Sequence, residues 1–287
     1  MISIPTLAFI GGSGIYSIPG LTNVEEHELV TPFGKPSAPV ITGVLENKKI
    51  AFLARHGLDH QISPSEVNYQ ANIYALKSLG VEQIVSISAA GSLREDYKPG
   101  EMAIPDQLFD FTRDRKRSFF GEGLVAHSSV ADPFCPLLSA EIEKAVKETE
   151  IKVHKGGVFI TIEGPRFSTR AESNVYRSWG MSLIGMTTSP EAFLAREAEI
   201  CYAVLVHVTD YDVWHLTEEA VSVEMVIDVL NRNVEAARQV IQNLVHNQVE
   251  TVDCECRHAM KNALITNKKR IPAETAEKLD LLIGKYL

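Results

Sequence analysis

Six short apolar runs constrain this chain more than any other feature. They are TLAFI (6–10), IAFLA (50–54), QIVSISA (83–89), GVFITI (157–162), SLIGM (182–186) and YAVLVHV (202–208). Several are apolar on both faces, the pattern of central strands covered by helices on each side. Helical segments lie between them. In SEVNYQANIYALKSLG (65–80), Ser65 is placed to cap, Glu66 suits the first turn and Gly80 can end the helix. In SPEAFLAREAE (189–199), Ser189 is the expected cap, Pro190 sits at the first helical position and Glu191 faces the positive helix end. A longer helix is predicted over 218–247, where Val226, Leu230, Val234, Ala237, Ile241 and Leu244 recur at helical spacing. The alternation predicts a single α/β domain over 1–248 with a mostly parallel or mixed sheet. Residues 249–287 read as an extension of that domain, two short helices split by a turn at 267–272.

Composition narrows the partners. The formal net charge is −9 and no long basic run occurs, which argues against nucleic acid or an anionic membrane. No apolar stretch has the length of a membrane span. MISIPTLAFIGG lacks the basic start and cleavage site of a signal peptide, and four cysteines are too sparse for a disulfide framework. The expected compartment is the cytoplasm.

Chemistry-bearing residues gather at the ends of the predicted strands. The first run leads into Gly11-Gly12-Ser13-Gly14. The dinucleotide fingerprint fails here for want of its third glycine, and the ATP-type loop for want of Gly-Lys-Ser/Thr. The turn still offers backbone N–H groups and the Ser13 hydroxyl to an oxyanion; the alternative is a tight turn with no ligand. Arg55 and His56 follow the second run. Arginine's planar fork matches phosphate oxygens, and histidine adds a donor or a charge. SAAGSL (88–93) and MTTSPEA (186–192), with Thr187 and Thr188, are two further strand ends suited to an anion. Strand ends of an α/β sheet converge on one crevice, the expected phosphate site. TIEGPRFSTRAES (161–173) sets Phe167 and Ser168 beside a Gly-Pro turn. Phe167 can stack on a base, or be plain core. Asp210 and Asp212, at i and i+2 in HVTDYDVW, can share one face of an extended strand; the alternative is a solvated pair.

With FIGGSGIY, TPFGKPS, LARHG, EVNYQANIYALKSLG, AAGSLRE, ADPFCP, TIEGPRFSTRAES, GMTTSPEAFLAREA, TDYDVW and EEAVSVEMV in this order, residues 6–247 resemble the purine nucleoside phosphorylase family, in its methylthioadenosine-cleaving branch. The resemblance implies a mixed, partly barrel-like sheet flanked by helices, and a homotrimer or hexamer with sites near subunit interfaces. It implies phosphorolysis of 5′-methylthioadenosine to adenine and 5-methylthioribose-1-phosphate, without a cofactor or metal, inorganic phosphate being the co-substrate. Phosphate would be held by Ser13, Arg55, His56, Ser88, the Ala89 backbone N–H and Thr187. The family more often has threonine where Ser13 and Ser88 stand, and serine keeps the hydroxyl. Phe167 and Met186 would pack on base and ribose, with Ser168 near the purine edge. Asp210 would protonate the leaving purine at N7, its pKa raised by burial and by Asp212. The resemblance also implies a preference for a 6-amino purine, because relatives preferring 6-oxopurines carry asparagine at this position. Val223 and Val226 would line an apolar slot for the methylthio group, and His127 would reach a neighbouring subunit's site. Cys254-Glu255-Cys256 resembles a Cys-x-Cys tail of some microbial relatives. It could form a disulfide, bind metal or do nothing; two cysteines alone are too few for zinc, so thiols are expected.

Four other readings remain in play. A nucleosidase using water would not need the anion cluster, and a methylthioinosine or other 6-oxopurine phosphorylase would not suit the aspartates. A non-catalytic nucleoside-binding protein would bind without turnover. A nicotinamide oxidoreductase lacks its glycine fingerprint.

Overall fold

The computed structural model describes residues 4–12, 18–215, 222–247 and 254–287, without the side chains of residue 223 and residues 225–234. All six apolar runs are strands. They become β1 (Leu7–Gly11), β4 (Lys48–Ala54), β5 (Gln83–Ser92), β9 (Val158–Ile162), β10 (Leu183–Gly185) and β11 (Cys201–Asp210). Five more strands complete an eleven-stranded sheet: β2 (Thr22–His27), β3 (Val40–Leu45), β6 (Met102–Ile104), β7 (Gln107–Phe111) and β8 (Val153–Lys155). These are exposed, short or interrupted by polar residues, so their pattern is weaker than that of the central strands.

The sheet is mixed and branched. Its main path runs β2-β3-β4-β1-β5-β10-β9-β7. β5 is the branch point. It pairs in parallel with β1 through residues 83–86, in parallel with β11 along its length, and antiparallel with β10 through Gly91 and Ser92. The arm continues from β11 to β6 and β8. The β1 strand therefore ends beside the middle of β5, while β10 and the end of β11 lie beside its last residues.

Helices cover both faces, as the doubly apolar strands require. On one face α1 (Tyr69–Ser78) and α4 (Thr188–Glu197) pack with Ile10, Leu53, Ile84 and Val206. On the other α2 (Pro136–Lys147) and α5 (Val223–Asn247) pack with Phe9, Phe52, Val85 and Leu205. The outer end of the sheet carries α3 (Arg170–Ser178), started by a capping box in which Thr169 and Glu172 exchange hydrogen bonds.

Three local expectations change. The α1 cap is Asn68, whose side chain accepts from the Ala71 N–H, and not Ser65. Ser65 instead donates to Glu163, so a tertiary partner overrides the local one. Ser189 has the extended backbone of a cap, φ −102° and ψ 135°, but its hydroxyl caps nothing. The two short α-helices after 254 are not split by the 267–272 turn, because both follow it. Residues 255–258 form a single 3-10 turn, residues 268–270 another, and α6 (Ala273–Lys278) and α7 (Asp280–Ile283) follow. This tail is held to the sheet through buried Glu199, which accepts from the Met260 N–H at 3.0 Å, the Tyr286 hydroxyl at 2.6 Å and Lys285 at 2.5 Å. Among the described residues no helix is long and apolar enough to cross a membrane.

Candidate active site

Arg55 follows β4 and enters the sheet's end beside β1, its N–H donating to the Gly11 carbonyl at 3.1 Å. Its side chain is buried. Nε and Nη2 donate to the two oxygens of Glu191 at 2.8 and 3.0 Å, and Nη2 also donates to Ser86 Oγ at 2.7 Å. Burial disfavours the guanidinium's charge, but the Glu191 carboxylate more than offsets this and keeps it ionised. Much of the fork that would meet phosphate is thus engaged by Glu191. Nη1 has one contact, the Ile87 carbonyl at 3.4 Å. Glu191 is buried in α4 because Tyr202 donates a third hydrogen bond to it, at 2.8 Å.

His56 is buried, and its Nδ1 lies 2.8 Å from the Ile62 carbonyl. A carbonyl only accepts, so Nδ1 carries the proton and Nε2 the lone pair. Burial and the neighbouring Arg55 charge push its pKa down to about 4. The ring is therefore neutral near pH 7 and offers an acceptor through Nε2.

The hydroxyl of Ser88, midway along β5, is buried without a hydrogen-bond partner among the described residues. So are those of Thr188 and Ser189 at the start of α4, where the preceding Thr187 is also buried. Buried hydroxyls are normally satisfied, and the two orphans at the α4 N-terminus are donors beside the positive end of a helix. Ala89 lies next in β5, half-buried, with its carbonyl 3.7 Å from where a Cβ on Gly185 would stand. Ser13, the sixth member of the expected anion cluster, lies outside the described residues.

The two aspartates sit at the end of β11. Asp210 Oδ1 accepts from the Asp212 N–H at 2.7 Å, and Oδ2 accepts from the Thr209 hydroxyl at 2.7 Å. Gly91 of β5 makes this possible: a Cβ there would stand 2.8 Å from Asp210 Oδ1. Burial raises the pKa of Asp210. Burial, with the Asp210 charge adding to it, pushes Asp212 up to about 6. Asp212 Oδ2 is buried with no partner. Both carboxyls are buried, not a solvated pair. The Thr209 hydroxyl also lies 3.3 Å from the Ala90 carbonyl, so it can turn there when Asp210 takes a proton.

The 161–173 motif reaches the 186–189 segment. Gly164, at φ +70°, packs so closely on Met186 that a Cβ would lie 2.5 Å from its Sδ. Phe167 is 36% exposed, so it is not plain core, while the neighbouring Ser168 hydroxyl is buried without a partner. Val223 begins α5 and Val226 lies in its first turn; their side chains lie outside the described residues. His127 is exposed, in a segment whose backbone pairs with the tail through His127 N–H to the Ala263 carbonyl at 2.9 Å.

Arg115 was not legible as a site residue. Its guanidinium donates to the carbonyls of Glu163, Met186 and Ser189 at 2.7, 2.6 and 2.7 Å, and to Glu163 Oε1 at 3.1 Å. It ties the chain just after β9 to the 186–189 segment. Nothing in DFTRDRKRSFF separates Arg115 from Arg113, Lys116 and Arg117. His207 was likewise missed. It is buried in β11 with neither nitrogen partnered among the described residues, and burial lowers its pKa to about 4. Finally, the fold brings Cys254 and Cys256 to Cys135 and Cys201, all four buried.

Comparison with known proteins identifies the family. A family model described as phosphorylase superfamily matches residues 6–246. The S-methyl-5′-thioadenosine phosphorylase of Geobacter sulfurreducens is 51% identical over 282 residues, covering 98% of this chain and 99% of the relative. The crystal structure of a methylthioadenosine phosphorylase from an antarctic soil metagenomic library superposes with a TM-score of 0.92 at 46% identity, covering 97% of this chain and 98% of the other. A methylthioadenosine phosphorylase from Schistosoma mansoni, solved in complex with adenine, gives 0.78 at 36% identity, covering 84% and 91%. The chain belongs to the phosphorylase superfamily.

Proposed function

We propose that the chain catalyses phosphorolysis of 5′-methylthioadenosine to adenine and 5-methylthioribose-1-phosphate. The observation that carries this reading is the buried Asp210–Asp212 pair at the same end of the sheet as the orphan hydroxyls and Arg55. The relatives' names add the substrate.

The glycosidic bond C1′–N9 breaks toward an oxocarbenium-like sugar, and phosphate attacks C1′. Ser88, Thr187, the Ala89 N–H, Ser13 and the Arg55 charge hold the phosphate in attack geometry, which removes much of the entropy cost. Its negative charge stabilises the developing cation. Neutral His56 accepts a hydrogen bond from the protonated oxygen of HPO₄²⁻ through Nε2. The purine leaves with negative charge, and Asp210 supplies a proton at N7. Asp212 shares the pair's charge and meets the 6-amino group. Phe167 and Met186 pack on base and ribose, Ser168 meets the purine edge, and Val223 and Val226 receive the methylthio group. No cofactor or metal takes part in the reaction. The chain acts in the cytoplasm as a homotrimer, with a hexamer as the alternative assembly, and His127 serves a neighbouring subunit's site. Residues 249–287 act as an extension of the catalytic domain.

Adenine release from methylthioadenosine, measured with and without phosphate and alongside methylthioinosine and adenosine, tests the reading. Release that requires phosphate and is fastest with methylthioadenosine supports it. Release without phosphate makes the chain a nucleosidase, and binding without release makes it a nucleoside-binding protein.

A further inference from the structure

Four cysteine sulfurs that lie far apart in sequence meet in one buried cluster, well away from the site above. Cys135, Cys201, Cys254 and Cys256 place all their Sγ atoms within 4.8 Å of one another, with Cys135 and Cys254 at 3.4 Å. A zinc ion bonded at about 2.3 Å in a tetrahedron needs its sulfurs about 3.8 Å apart. The four are already near that size. Cys254 and Cys256 alone are too few for zinc. The fold adds the other two from the cap of α2 and the first residue of β11.

The surroundings suit thiolates more than packed thiols. Cys135 is the N-cap of α2, which places it at the positive end of a twelve-residue helix. Arg196 Nη1 lies 3.3 Å from Cys256 Sγ. A purely apolar thiol cluster has no use for a guanidinium at its edge; a four-thiolate zinc centre carries a net charge of −2 and does. The backbone is tied as well. The Cys135 N–H donates to the Tyr202 carbonyl at 2.8 Å, and the Cys201 N–H to the Glu82 carbonyl at 2.9 Å. Two of the four ligands are thereby set by regular structure, and the Cys-x-Cys segment closes over them.

We infer that Cys135, Cys201, Cys254 and Cys256 form a structural zinc site that clamps the C-terminal tail to the foot of β11. Binding releases the four thiol protons and makes four Zn–S bonds, with no change of oxidation state. All four positions are filled by protein, which leaves none for a substrate. Cys201 and Asp210 are opposite ends of β11, nine steps or about 30 Å apart, so the ion's role is stability and not turnover.

The test uses the full chain without a metal-binding tag, purified and kept under reductant. After zinc is added and the excess dialysed away, about one zinc per chain is expected to remain. Substituting Co²⁺ is expected to produce thiolate-to-metal charge-transfer and tetrahedral ligand-field bands in the wild-type chain. The Cys254→Ser/Cys256→Ser variant is expected to lose the zinc, the bands and the zinc-dependent rise in melting temperature. Zinc content near zero in the folded, reduced wild-type chain overturns the proposal. So does a Co²⁺ spectrum without thiolate charge transfer, or a mass lower by two or four hydrogens, which reports disulfides instead. The cobalt spectrum of the wild-type chain keeps the test decisive if the variant fails to fold.

Discussion

Glu191 grips Arg55 through two hydrogen bonds of 2.8 and 3.0 Å, and neither side chain is more than 3% exposed. The pair joins the end of β4 to the start of α4, the two elements that frame the proposed phosphate site. Removing one partner leaves a buried charge uncompensated, which costs about 3–5 kcal/mol. Glu191→Gln is therefore expected to lower stability by that order in urea denaturation. The double change Arg55→Met/Glu191→Met is expected to recover most of the loss while phosphate saturation stays impaired. Recovery of phosphate saturation in the double variant would show that Arg55 serves only the fold.

Ser88 should behave in the opposite way. Its buried hydroxyl has no partner among the described residues, so Ser88→Ala removes an unsatisfied group and none of the hydrogen bonds described. The melting temperature is expected to hold or rise. The KM for phosphate is expected to rise roughly tenfold, the worth of one hydrogen bond of about 1.4 kcal/mol to an anion. A lower melting temperature with unchanged phosphate KM would sink the role given to this hydroxyl.

Replacing the acid at the end of β11 separates proton supply from packing. Asp210→Asn keeps the shape and an oxygen that accepts from the Asp212 N–H, while its NH2 donates to a Thr209 hydroxyl turned toward the Ala90 carbonyl. A positioned general acid contributes about 10²–10⁴-fold, so kcat on methylthioadenosine is expected to fall by that order. The ratio of methylthioinosine to methylthioadenosine turnover is expected to rise, since an amide can donate to a 6-oxo group. Steady-state kinetics on both nucleosides checks both statements.

His207 makes stability fall in acid. In the unfolded chain it takes a proton near pH 6.5, while in the folded chain burial delays this to about pH 4. The unfolded state therefore binds more protons throughout that window, and stability drops as pH falls through it. Between pH 7 and 5 the effect of this one group is on the order of 2 kcal/mol. His207→Leu is expected to lose less stability than the wild type over the same interval. Equal losses would mean that the imidazole finds a proton acceptor when charged.

The central strands were legible because burial on both faces writes itself as uninterrupted Val and Ile. β2 was not, because five of its six residues are exposed and only its partner β3 makes it a strand. At the site, Arg55, His56, Ser88 and the aspartates stood out through their positions after apolar runs. The engagement of Arg55 by Glu191 was not visible, because 136 residues separate them and Glu191 reads locally as a helix-start acid. The cysteine cluster hid for the same reason: its members come from three segments that only the sheet brings together. Motif reading finds residues that act next to their neighbours in sequence, and long-range partners are set by packing.

Arg115 holds carbonyls from the strand end at 163 and from the turn at 186 and 189 with one planar group. A planar guanidinium cannot follow one of these segments outward without letting go of the other. The segments proposed to face the base and to flank the phosphate are therefore expected to shift in concert. For inhibitor chemistry this means that modifications made at the purine end and at the anionic end of one molecule will not contribute independently: enlarging one end resets the geometry the other was fitted to.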